Sequence, residues 1–115
     1  MLGHDLSVAD AVACVRQRFP AMPYCLVRKW VWIDLDVPAA VREELENAGY
    51  QPVMLYAHEV VVDSQFRFEP GDWVRSTPLY TFSEVCFFQT RNTVYVLLGH
   101  GTRKSATLST MVKIF

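Results

Sequence analysis

The sequence has no long apolar run. None exceeds five residues, a length reached by Val53–Ala57 and Val94–Leu98, against the roughly 20 that a bilayer-spanning helix needs. The opening Met1-Leu2-Gly3-His4-Asp5 lacks a basic segment followed by an apolar one, so no secretory-signal pattern is expected. Cysteine is scarce as well: Cys14, Cys25 and Cys86 are odd in number, show no CxxC spacing and sit among apolar neighbours. A disulfide framework is therefore excluded, and buried thiols in a reducing cytoplasm are expected. Nor is there an excess of one charge. Eleven basic and twelve acidic residues give a net charge of −1 and a pI near 6.3, whereas dedicated nucleic-acid-binding domains are strongly basic. Repeats, linkers and low-complexity tracts are missing too.

What is present is apolar content spread over the whole chain. With 51% hydrophobic residues in 115 positions, disorder is excluded and one core, hence one domain over residues 1–115, is expected. The charge is unevenly placed. Residues 1–63 carry five basic and nine acidic groups, residues 64–115 six basic and three acidic ones. The second half can therefore face an anionic partner, or the acidic half of a second copy.

Ser7 and Asp10 mark a helix start, and Val8, Ala11, Val12, Val15 and Phe19 recur at helical spacing up to Pro20. The pattern predicts a helix over residues 8–19. Residues 24–33 are dense in aromatic and β-branched side chains and predict an interior strand. Strict alternation would put Leu26, Arg28, Trp30 and Trp32 on one face and Cys25, Val27, Lys29 and Val31 on the other. A second helix is predicted over 37–48, with Asp34 or Asp36 as its cap, Pro38 in its first turn and Gly49 closing it. After Gly49 the period becomes that of strands: 51–63, a short 65–68, a turn at Glu69-Pro70-Gly71-Asp72, a strand at 73–76, and a hairpin of 85–90 with 93–98 about Arg91-Asn92. The segment 104–115 fits a strand by alternation and Ser/Thr content, with a helix as the alternative. The expected fold class is α+β: two N-terminal helices packed on one face of a twisted, mostly antiparallel sheet. The turn chemistry about Gly71 also suits a bent, partly barrel-like sheet.

The most distinctive local feature is Gly99-His100-Gly101-Thr102-Arg103-Lys104-Ser105, which directly follows a strand. Glycines free backbone N–H groups to turn toward an anion, and Thr102, Arg103 and Lys104 add donors and charge. The spacing is neither a Walker A loop nor a GxGxxG fingerprint, so no nucleotide or other cofactor is implied. A glycine-assisted turn with a solvated basic tip remains the plain alternative. Arg75 and Trp73, beside the Gly71 turn, are candidates to extend such a site, although an ordinary strand edge explains them equally well. His4, His58 and His100 are isolated in sequence, with no i, i+2 ligand pair, so no metal site is expected. Cys86 sits in Val85-Cys86-Phe87-Phe88, where a thiol is inert. Whether it meets His58 or His100 in space stays open. Trp30 and Trp32 are read as core or subunit contact rather than a base-stacking platform.

The stretch from Gly71-Asp72-Trp73-Val74-Arg75-Ser76-Thr77-Pro78 to Thr90-Arg91-Asn92-Thr93-Val94-Tyr95-Val96-Leu97-Leu98-Gly99-His100-Gly101-Thr102-Arg103 resembles a pattern in small uncharacterised proteins of bacteria and their mobile elements. The resemblance covers the second half of the chain. It implies a cytosolic accessory role and supplies no catalytic residue.

These observations favour a non-enzymatic binding module. Gly99, Gly101, Thr102, Arg103 and Lys104, with Arg75 and Trp73, would meet an acidic protein partner or anion. Nucleic acid and membrane are not expected partners. A small enzyme acting on a phosphate- or carboxylate-bearing metabolite at the same loop, and a purely structural homodimer, are the alternatives.

Overall fold

The computed structural model describes residues 5–107. A helix, α1 (Val8–Arg18), is followed by a long strand, β1 (Tyr24–Asp36), a short helix, α2 (Ala39–Asn47), and a second long strand, β2 (Val53–Asp63). Five shorter strands follow among the described residues: β3 (Val74–Arg75), β4 (Thr81–Ser83), β5 (Phe87–Gln89), β6 (Val94–Leu97) and β7 (Thr102–Thr107). Ser7 caps α1 as its pattern predicts, its hydroxyl accepting from the Asp10 N–H at 3.2 Å.

All seven strands form one sheet in the order β3-β2-β1-β6-β5-β4, with β7 also paired to β1. β1 is its spine. One edge pairs antiparallel with β2 along nearly its full length. The other edge is shared, in parallel, by two strands: Tyr24–Val27 with β6 and Val31–Asp36 with β7. The class is α+β, and antiparallel pairs dominate, but the late strands are not a simple meander. The sheet is open rather than a barrel. Its end strands β3 and β4 are not paired with each other, although the link between them runs along β2 through Ser76 N–H to Leu55 O and Leu79 N–H to Val53 O.

Three expectations about the elements need correction. First, the helices do not form a layer on one face. α1 buries Ala11 and Val15 in a cluster with Leu26, Val94 and Val96, whereas α2, placed after β1 rather than before the sheet, buries no residue. β1 runs on through Asp36, so neither aspartate caps α2; Pro38 occupies that position without a side-chain hydrogen bond. The C-terminus of α2 does follow expectation. Gly49 at φ +89 lets Gly49 N–H reach Glu46 O and Tyr50 N–H reach Leu45 O, the paired bonds of a Schellman closure.

Second, residues 65–68 are a turn, and β4, unforeseen, fills the stretch before β5. The chain over 104–107 is strand rather than helix; the rest of that predicted element lies outside the described residues. Third, alternation fails in the middle of β1. Cys25, Val27, Trp30 and Trp32 share one core cluster, Leu26 joins the α1 side, and Val31, Ile33 and Leu35 fall on a third. Parity changes because Lys29 adopts φ +53; the pairing with β2 also slips, upstream of that point, between Leu26 and Val27, as at a β-bulge. Arg28 therefore does not share a face with the tryptophans. Trp30 and Trp32 are core, the latter edge-to-face with Phe82 at 5.0 Å and Phe88 at 5.4 Å.

A basic cleft at the break between β6 and β7

The kink in β1 faces a gap in the sheet. β6 ends opposite Val27 and β7 begins opposite Val31, so residues 28–30 of β1 have no strand partner on that edge. Leu98 to Gly101 cross the gap instead. Leu98 N–H donates to Val27 O at 3.0 Å, and the buried Trp30 indole donates from Nε1 to Leu98 O at 3.2 Å. Gly99 turns the chain at φ +68. Gly101 then lies directly on the Trp30 ring, where a Cβ would stand 2.5 Å from Cε2 and closer still to Cδ2 and Cε3. Only glycine fits there. Sequence reasoning gave both glycines the same role, whereas Gly99 serves the turn and Gly101 serves close packing.

The gap opens outward as a cleft of about 330 Å³ whose lining includes Lys29, Trp30, Val31, His58, His100, Gly101, Thr102 and Lys104. Two lysines and two histidines meet there with no carboxylate among the described lining residues. All four side chains belong to exposed residues, and none has an ion-pair partner among the described residues. Other arginines are neutralised locally: Arg18 by Glu84 at 2.9 Å, Arg67 by Asp63 at 2.7 Å. The cleft thus concentrates uncompensated positive charge in a chain whose net charge is −1.

Each residue put forward from the sequence can now be placed. Gly101, Thr102 and Lys104 line the cleft, and Gly99 sits at its entrance turn. Arg103 points to the opposite face. Its guanidinium donates to both Asp34 carboxylate oxygens, at 2.6 and 3.0 Å, and lies 5.8 Å from the Trp32 ring centre. Asp34 also accepts from Trp32 Nε1 at 3.2 Å. The Arg103 hydrogen bond, foremost, holds the Asp34 carboxyl below its ordinary value of 3.8. Arg75 lies in the same cross-strand row as Tyr56, Val31 and Thr102, three strand spacings, or about 14 Å, from β7. Trp73 reaches the cleft through rings: it packs on Tyr56 at 5.9 Å, and Tyr56 meets His58 edge-on at 4.7 Å.

Lys29, His58 and His100 were not assigned to this site from sequence. No spacing signals the three as a set, because a left-handed kink at Lys29 and a break between two strands bring them together. Cys86 is elsewhere, in the cluster beneath α1. Burial pushes its thiol up to about 11 and that of Cys25 up to about 12. Among the described residues, no group of three or more metal-ligating side chains is gathered.

The model of one protein family, described as a domain of unknown function (DUF6957), matches residues 2–113. The chain belongs to that family. The match runs nearly end to end, so the resemblance confined to the second half in the sequence reading was too narrow: the α1–β1–α2–β2 portion is as much a family feature as the Gly99–Lys104 segment. Neither a curated protein nor a solved structure matches the chain.

Proposed function

We propose that this DUF6957 protein is a non-enzymatic binding module that holds an anionic group of an acidic protein partner in the cleft between Lys29, His58, His100 and Lys104. One observation carries the reading: four cationic or imidazole side chains converge on one cavity that no carboxylate among the described residues lines. The site differs from the one expected on sequence grounds by gaining Lys29 and both histidines and by losing Arg103 to its pairing with Asp34. Two features favour binding over catalysis. Both buried thiols are kept protonated, and among the described residues no carboxylate lining the cleft stands behind either histidine to orient it as a base. The near-neutral charge of the chain favours an acidic protein over a nucleic acid.

Titration with inorganic phosphate and with acetate, followed by amide and imidazole NMR shifts, tests this reading. Saturable shifts at Lys29, His58 and His100 to Lys104 are expected, and a Lys29→Gln, Lys104→Gln double variant should lose them while keeping its thermal transition. Shifts spread evenly over the chain, or unchanged in the double variant, would refute the proposal.

A further inference from the structure

We infer that the occupant of the cleft is an extended acidic peptide segment that adds as a strand to the outer edge of β7, setting its carboxylates against Lys104 and Lys29. This rests on the anion-binding reading and adds a geometry to it. β7 pairs with β1 along one edge, and no other described strand pairs with it. β5, which flanks β6, stops opposite Val94–Val96 and does not continue beside β7. The edge over residues 102–106 is therefore open among the described strands, about 17 Å of backbone at strand rise. Four of those five residues are exposed. An open edge offers alternating N–H and C=O groups, the recognition mode of strand addition.

Side chains give that edge a polarity. Thr102 and Lys104 alternate onto the cleft face, while Arg103, on the other face, is satisfied by Asp34. An added strand would thus meet unpaired positive charge on one face only, from Lys104 of β7 and from Lys29 of β1 behind it. An acidic residue opposite Lys104, with a second carboxylate on the same face within reach of Lys29, fits this pattern. A second copy of β7 does not: it would bring two Lys104 side chains onto one face, where like charges disfavour pairing.

The experiment uses a fluorescein-labelled peptide, Thr-Glu-Val-Glu-Thr-Glu, and the same peptide N-methylated at alternate backbone nitrogens, measured by anisotropy against the full chain. The unmodified peptide should bind, protect amides within residues 102–106 from hydrogen exchange, and lose more than about tenfold in affinity on N-methylation, since several strand hydrogen bonds are removed together. Equal binding of both peptides overturns strand addition while leaving the anion site standing. Peptide binding that survives Lys29→Gln with Lys104→Gln refutes the anion site instead. Outward-facing amides over 102–106, those not bonded to β1, that are already protected in the free protein, or tighter binding of a single-stranded oligonucleotide of equal charge, also overturn the inference.

Discussion

Replacing Gly101 by alanine probes the contact on which the cleft is built. The added methyl would enter the face of the Trp30 indole, 2.5 Å from one ring carbon and nearer to two more, where about 3.5–4.0 Å is the relaxed separation. Trp30 is 1% exposed, so it cannot swing into solvent and must push on the core. Overpacking of this kind costs about 1–3 kcal/mol. If the ring shifts enough to break the bond to Leu98 O, an unsatisfied buried N–H adds about 1–3 kcal/mol. A total near 3 kcal/mol corresponds to a fall in Tm of about 12 °C for a chain of this size. Gly99→Ala is the control. Its Cβ would meet nothing within 4 Å, so only the left-handed φ opposes it, at about 1 kcal/mol. Scanning calorimetry of both variants, and of Gly101→Ala combined with Trp30→Phe, checks the account. The smaller ring should recover part of the Gly101→Ala loss. Equal Tm values for the two single glycine variants, or strict additivity in the double variant, would refute the packing argument.

Arg67→Met should destabilise by about 3 kcal/mol in urea unfolding, because the Asp63 carboxylate, whose side chain has no solvent exposure, would lose its bidentate partner. Burial on its own would raise the Asp63 carboxyl, but hydrogen bonds from the Arg67 side chain and backbone overcome it and hold the group below 3.8. Asp34 is depressed in the same direction. Folded-state values below the unfolded ones mean that the stabilisation is complete above that value and lost as pH falls through the depressed range, so urea midpoints should be level from pH 7 to 5 and drop below about 4. Asp63→Asn should flatten that acid limb. Val85 is 56% exposed yet holds φ +67, so Val85→Gly should raise Tm by the few degrees that about 1 kcal/mol of relieved strain represents. Thiol labelling of the native protein should modify the half-buried Cys14 first and leave Cys25 and Cys86 untouched until unfolding.

Local chemistry was legible where it acts over a few residues. Ser7 and Gly49 bounded their helices because capping is settled within one turn. Arg91-Asn92 closed its hairpin because Thr90 and Thr93 pair directly across it. What stayed hidden was set by distant partners. Nothing in residues 24–36 announces that Lys29 turns left-handed, since the cause is a ladder whose other side changes from β6 to β7 at that point. That single kink reversed the faces assigned to Trp30 and Trp32. The same distance effect governed the candidate site. Arg103 and Lys104, adjacent and alike in sequence, part ways because β7 places them on opposite faces, and Asp34, 69 residues earlier, captures one of them.

The position of β1 also governs when the protein can fold. Its residues Tyr24 and Val31 find their second neighbours only at Val94 and Thr102, a separation of about 70 residues. At ribosomal rates of about 5–20 residues per second, that edge waits roughly 4–14 s for its mates to emerge. Until then a long, tryptophan-bearing ribbon stands half-clothed, a natural client for chaperones and the first place where a truncated chain would go astray.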